Sequence, residues 1–366
     1  MAPNPPLEVA KYPTGLDLKL EELEMTHLLS QHDTERKEAK VVGIVGAGGV
    51  GKTTLAKEFF NLKRSDYSSS SFLFDVRETT RKLSLPYLQK KLLTDLKPRL
   101  EKDIRIESRD EGVGILKKHL AVCHVLIILD DVDDIDQLEA VLPIKKILRQ
   151  ESLILVTSRD RDVLTKSGVL ESSIYILKGM NTRHSKELFC CHAFPQSDPL
   201  PEFADLVDRF VTVCDGLPLS LKVFGARLCG ENELSVWQEI LDDLREILPS
   251  EIHDKLKISF DSLGAKEKEI FLDIACFFLE EDRDKAIRIW GIVGVRTLQA
   301  KCLLEVDSKN KIRMHDHIRD MGRKIAEERS LPRRLWHTNI IDDFCQQLSP
   351  VSASVIQTFV IGLIKF

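Results

Sequence analysis

Val41-Val42-Gly43-Ile44-Val45-Gly46-Ala47-Gly48-Gly49-Val50-Gly51-Lys52-Thr53-Thr54 reads as a short apolar strand that runs into a glycine-rich turn and then into a helix. From Gly46 the spacing is G-x-x-x-x-G-K-T. Gly46, Gly48, Gly49 and Gly51, with Val50 among them, let backbone N–H groups converge on phosphate oxygens, while Lys52 supplies a cation and Thr53 offers a hydroxyl to Mg²⁺. The helix that opens Thr54-Leu55-Ala56-Lys57 adds its positive dipole end. Such a pattern arises by chance about once in a hundred chains of this length, so its setting counts as much as the match. Four β-prone residues lie ahead of the loop and a helix-forming run, Leu55 to Phe60, lies behind it. The bland alternative is a glycine-rich turn carrying a surface lysine.

Working outward, the 366 residues are 43% hydrophobic and 30% charged, an ordinary globular mixture with room for two or three domains. A formal net charge of −5 and a pI near 6.1 give no electrostatic argument for nucleic acid, which is not expected as a partner. Eight cysteines contain no C-x-x-C pair, so neither a zinc site nor a disulfide framework is expected, and reduced thiols of a cytosolic protein fit better. The start, Met1-Ala2-Pro3-Asn4-Pro5-Pro6, reads as a flexible lead-in rather than a signal peptide. Val355 to Phe366 is too short and too interrupted to span a bilayer, so no membrane span is expected.

Along the chain, Leu16 to Leu29 carries apolar residues on a helical repeat, and Ser30 to Lys40 forms a polar loop. After the loop and its helix, Ser68 to Ser71 breaks the pattern and Phe72 to Val76 reads as a second strand. Helices follow around Leu85 to Leu96 and Gly112 to Ala121. Val125-Leu126-Ile127-Ile128-Leu129-Asp130-Asp131 has no polar face, as expected of a parallel strand covered on both sides, and it ends in two carboxylates. A carboxylate in that place fixes Mg²⁺ through its water shell, which makes Asp130 the metal candidate and Asp131 the candidate for orienting or deprotonating an attacking water. A calcium loop over Asp130 to Asp136 fails, because Asp136 stands where that loop needs glycine. Ser152 to Arg159 is a fourth strand ending in a cation, and Arg159 is either a γ-phosphate contact or a solvated charge. Alternating strands and helices imply a parallel sheet flanked by helices, with a nucleotide at the carboxyl ends of the strands.

From Asn181 onward helices dominate, over Ser185 to Ala193, Pro201 to Asp215, Leu217 to Cys229, Val236 to Leu244, Ile252 to Phe260, Ala265 to Phe278 and from Ile287 through Trp290. Two short strands, Leu303 to Val306 and Lys311 to Met314, joined by Asp307-Ser308-Lys309-Asn310, suggest a winged-helix-like module. The acidic balance favours an interaction or lever role for it over DNA reading. Met314-His315-Asp316-His317 taken alone reads as a solvated turn or, with Asp320, a metal site.

Taken in order, Gly46 to Thr54, Phe72 to Glu78, Leu129 to Asp133, Val156 to Asp160, Gly216-Leu217-Pro218-Leu219, Phe271 to Phe278 and Met314-His315-Asp316 resemble the NB-ARC module of plant intracellular immune receptors. Asp133 and the Phe-Leu-Asp-Ile-Ala-Cys-Phe-Phe segment make the likeness strongest to the subclass with an N-terminal Toll/interleukin-1-receptor (TIR) domain. An ordered set of motifs over about residues 10 to 340 is far more specific than any one of them.

The resemblance implies an α/β P-loop NTPase with sheet order 2-3-4-1-5, followed by a helical ARC1 domain and a winged-helix ARC2 domain. The expected limits are 1–39 for the lead-in to the adenine site, 40–180 for the nucleotide-binding domain, 181–248 for ARC1, 249–340 for ARC2 and 341–366 for a divergent tail. It further implies ADP/ATP and Mg²⁺ as cofactors. Lys52 would contact the β- and γ-phosphates, Thr53 and Asp130 Mg²⁺, Thr54 the α-phosphate side, Asp131 the hydrolytic water and Arg159 the γ-phosphate. Thr14 and Gly15 would read adenine through their backbone, with Lys19 as the nearest cation, Pro218 would pack near the base, and His315 would touch the β-phosphate of ADP. The implied function is a switch of plant innate immunity, ADP-bound at rest, exchanging to ATP with oligomerisation, and acting as a weak ATPase at most. Self-association or association with related receptors is implied, in the cytoplasm with the nucleus as a second compartment. The sequence reads as lacking a TIR domain before residue 1, so NAD cleavage is not expected of it, and no leucine-rich repeats are expected after residue 341. A non-switching adaptor or decoy and a metabolic P-loop phosphotransferase stand as alternatives.

Overall fold

The computed structural model describes residues 6–28, 38–98, 104–195, 199, 201–245 and 252–328; the expected tail at 341–366 lies outside them. The chain forms two units, one of Met1–Cys191 with Gln196–Leu221 and one of His192–Pro195 with Lys222–Phe366.

The first unit opens with α1 (Leu16–Leu23), which finishes in a π-turn over Glu24–Leu28. Then come β1 (Lys40–Val45), α2 (Lys52–Lys63), β2 (Ser69–Leu73), α3 (Val76–Lys82), α4 (Leu85–Leu96), α5 (Arg109–Leu120) and β3 (Val125–Val132). After α6 (Ile135–Glu139), β4 (Leu153–Ser158), α7 (Arg161–Lys166) and β5 (Ile174–Ile176), the chain runs through α8 (Thr182–Ala193), α9 (Ala204–Cys214) and α10 (Pro218–Leu228). The passage from first to second unit falls at Leu221, inside α10.

Five parallel strands stand in the order β2-β3-β4-β1-β5, the order the resemblance implies. The all-apolar β3 owes its composition to this arrangement. Val125, Ile127 and Leu129 face a cluster with Leu88, Leu92 and Leu116 of α4 and α5, while Leu126 and Ile128 face Leu55, Phe59 and Leu23 of α2 and α1. Both faces are covered, so neither tolerates a polar residue. Phe59 is buried, and burial of a side chain of that size contributes about 1.5–3 kcal/mol.

Two strands differ from the sequence reading. β2 begins at Ser69 and ends at Leu73, so Ser69, Ser70 and Ser71, expected to break the pattern, belong to the ladder. Ser71 Oγ donates to Asp95 Oδ2 of α4 at 2.6 Å, a polar satisfaction that an edge strand under a helix accommodates. The chain leaves β2 through Asp75, which adopts a left-handed conformation (φ 50°) and starts α3 where strand was expected. β5 is only three residues long, below the length at which alternation is readable.

The second unit holds α11 (Leu234–Arg245), α12 (Ile252–Asp261), α13 (Ala265–Phe277), α14 (Arg283–Trp290), α15 (Ile292–Ala300), β6 (Glu305–Val306), β7 (Ile312–Arg313) and α16 (Asp316–Glu328). Gly291, with φ 85°, splits the single helix expected from Ile287 onward into α14 and α15. Phe271 and Ala275 of α13 lie so close to Gly322 of α16 that an added Cβ would stand 2.7 Å from the Ala275 Cβ. Arg323 Nε donates to the Ala275 carbonyl at 3.1 Å. The β6–β7 ribbon is antiparallel, and its turn is closed by Asp307, whose carboxylate accepts from the Lys309 and Lys311 N–H groups. Helices packed beside a two-stranded ribbon are the winged-helix arrangement.

Candidate functional site

The phosphate loop joins β1 to α2 in the first unit. Gly49 and Gly51 take left-handed φ values of 75° and 102°, conformations that L side chains adopt only under strain. At Gly46 a Cβ would fall 2.6 Å from the Leu177 carbonyl oxygen, so the loop can lie this close to the chain after β5 only with glycine there. Gly51 caps α2 without a side-chain hydrogen bond, which leaves the helix's first-turn N–H groups, including those near Thr53 and Thr54, to a ligand. Lys52 is buried and its Nζ donates to the Gly46 and Ala47 carbonyls at 2.8 and 3.0 Å, holding the ammonium within the loop.

Opposite the loop stand the two carboxylates of β3. Thr53 Oγ1 donates to Asp130, lying 2.9 Å from Oδ1 and 3.1 Å from Oδ2. Thr157 of β4 donates its hydroxyl to Asp130 Oδ1 at 2.7 Å and accepts the Asp131 N–H at 2.9 Å. The register explains why one threonine serves both. Leu129 pairs with Val156 and Val132 with Ser158, so Asp130 and Asp131 together oppose Thr157 across a β-bulge, with Asp131 at φ 55°. Asp131 then meets two arginines: Arg77 Nε of α3 donates to Oδ2 at 2.8 Å, and Arg159 Nε, just past β4, lies 3.3 Å from Oδ1. Ser158 pairs with Val45, so Arg159 leaves the sheet beside the start of the phosphate loop.

An NB-ARC domain model matches residues 22–199, and a winged-helix model described as disease resistance protein Roq1-like matches residues 264–330. The chain carries an NB-ARC domain and a Roq1-like winged-helix domain. Over 315 residues it is 38% identical to disease resistance protein RUN1 of Vitis rotundifolia, a match covering 83% of this chain and 23% of that protein. It is 33% identical over 345 residues to TMV resistance protein N of Nicotiana glutinosa, covering 90% of this chain and 29% of that one. The chain thus spans roughly a quarter of the length of these curated relatives. In fold it is similar to a signal transduction ATPase with numerous domains that bears a tetratricopeptide repeat sensor, from Pyrococcus horikoshii. That match has a TM-score of 0.51 at 17% identity and covers 95% of this chain and 47% of that one.

Within the first unit, a distant segment reaches the phosphate loop. Leu219 N–H, one residue after Pro218, donates to the Gly49 carbonyl at 3.2 Å, so the Gly-Leu-Pro-Leu segment sits against the phosphate loop. Gly216, at φ 65°, makes this possible: its carbonyl accepts the Met180 N–H at 2.7 Å, and a Cβ on it would stand 2.3 Å from the Met180 carbonyl. Thr14 and Gly15 precede α1, and Gly15 (φ 67°) lies so near His184 that a Cβ would be 2.6 Å from its Nδ1. Lys19 pairs with Glu22 at 3.7 Å. His315 belongs to the second unit, where it is exposed just before α16 and its Nδ1 accepts the His317 N–H at 3.3 Å.

Arg77 and Thr157 were not among the expected site residues. Arg77 and Thr157 lie in motifs quoted for the resemblance, but their partners are 54 and 26 residues away, and no local pattern names them. The residues present fit a nucleotide with its cation. An uncapped helix N-terminus and a buried ammonium suit phosphate, and a hydroxyl beside a carboxylate is the oxygen donor set that suits Mg²⁺. Among the described residues, no helix is long and apolar enough to cross a membrane.

Proposed function

We propose that the chain is an adenine-nucleotide switch of plant innate immunity, ADP-bound at rest and activated by exchange to ATP with self-association or association with related receptors. The observation that carries this reading is the hydrogen-bonded run from Thr53 through Asp130 and Thr157 to Asp131, set against a phosphate loop whose helix is uncapped. In this reading Lys52 binds the β- and γ-phosphates, Thr54 the α-phosphate side, and Thr53 and Asp130 hold Mg²⁺, which when bound offsets phosphate charge. Gly46, Gly48, Gly49, Val50 and Gly51 line the phosphates with backbone. Thr14, Gly15 and Pro218 border adenine. Asp131 orients the hydrolytic water, Arg159 meets the γ-phosphate, and His315 belongs to the resting state.

A switch needs a ligand with different contacts in two states. ADP and ATP differ only by the γ-phosphate, and Arg159 is the group in the first unit whose partner would change with it. Hydrolysis is weak and resets the switch, in the cytoplasm and in the nucleus as a second compartment. Mass spectrometry of nucleotide released from the purified chain tests this: ADP at about one per chain is expected. A folded chain that carries no nucleotide and binds neither ADP nor ATP on titration would overturn it.

A further inference from the structure

We propose that Arg77 is a positioning residue for ATP recognition: it holds Asp131 so that Arg159 can leave that carboxylate for a γ-phosphate. The inference rests on the nucleotide reading above and adds a regulatory residue to it.

Two guanidinium groups meet the carboxylate of Asp131 through Nε, on different oxygens and at unequal distances. The Arg77 contact is 2.8 Å and its side chain is 11% exposed; the Arg159 contact is 3.3 Å and its side chain is 29% exposed. Arg77 sits in the first turn of α3, directly after the left-handed turn at Asp75, so a helix fixes its origin. Arg159 sits in the short connection between β4 and α7, beside the residue that pairs with Val45 at the mouth of the phosphate loop. One contact is short, sheltered and anchored; the other is longer, wetter and next to the phosphate site.

Asp131 itself has little freedom. Its backbone is in the left-handed region, its N–H is bonded to Thr157, and its side chain is only 7% exposed. Taking a cation away from a buried carboxylate is strongly unfavourable. If Asp131 depended on Arg159 alone, moving Arg159 to a γ-phosphate would leave such a carboxylate behind. Arg77 removes that penalty by staying in place. ADP makes no demand on Arg159, so the penalty falls on ATP and spares ADP.

Isothermal titration of the nucleotide-stripped 366-residue chain with ADP and with the β,γ-imido analogue of ATP, both with Mg²⁺, tests this. Arg77→Ala is expected to lower the analogue-to-ADP affinity ratio about tenfold while the ADP Kd stays within about twofold. Arg77→Lys is expected to restore part of the ratio, since it returns the charge without the planar fork. Arg81→Ala controls for general damage to the helix: Arg81 is on α3 too, but pairs with Asp133 at 2.7 Å, and its loss should leave the ratio unchanged. Should Arg77→Ala not fold, Arg77→Gln and Arg77→Lys carry the same comparison. An unchanged ratio in the folded Arg77 variants, or an equal shift from Arg81→Ala, overturns the inference while the nucleotide reading stands. A wild-type chain that binds neither ligand overturns both.

Discussion

The phosphate loop is built from backbone, with glycines at 46, 49 and 51 whose missing side chains let the chain turn and approach Leu177, and with helix N–H groups left uncapped. A short run of consecutive residues suffices to specify it. The carboxylate cluster at the same end of the sheet is built from side chains of β3, β4, α2 and α3, with Thr157 and two arginines converging on Asp130 and Asp131. The loop should therefore fail when an atom is added, and the cluster when a partner is removed.

The largest expected effect is at the residue that belongs to the loop but acts by charge. Lys52→Ala should weaken ADP binding about a hundredfold or more, as titration calorimetry would record. Tight retention of ADP by that variant would break the assignment of the loop as the phosphate cradle. Gly46→Ala probes the backbone directly: the new methyl meets a main-chain carbonyl at 2.6 Å, and overpacking of this kind costs about 1–3 kcal/mol. A lower denaturation midpoint together with weaker ADP binding is the outcome consistent with a loop held by close approach.

Thr157→Val is nearly isosteric, so it removes partners from the cluster without adding volume. It takes a donor from Asp130 and an acceptor from the Asp131 N–H, both buried, at about 1–3 kcal/mol. Chemical denaturation should show the loss, and an unchanged midpoint would mean that the bulge holds both carboxylates unaided. Smallest is Arg81→Ala. Its ion pair with Asp133 joins side chains 50% and 33% exposed, so screening limits the change to under about 1 kcal/mol. A larger loss would place the outer end of α3 in the cluster's support.

These two regions also differ in how far they could be read from the chain. The loop was legible because strand, glycines, lysine and helix are consecutive. Asp130 and Asp131 were legible as acids ending an apolar strand, but the ion pairs of Asp131 were not, since Arg77 reaches it from a different strand–helix unit. The sequence pattern places β2 too late because serines read as a break, whereas an edge strand pairs them and Ser71 bonds to Asp95. Strand β5 is too short to show a period, and the five-strand order came only through the likeness of the whole motif set. The docking of Leu219 on Gly49 depends on the tight turn at Gly216, whose consequence appears only when Met180 is beside it.

The central claim is that the nucleotide sets the state of the chain. Light scattering of the purified protein loaded with ADP, and then with ATP and Mg²⁺, addresses it most directly. The account predicts a constant mass with ADP and a larger, ATP-dependent mass that Lys52→Ala abolishes. The same mass under both nucleotides, with both shown to be bound, would contradict it.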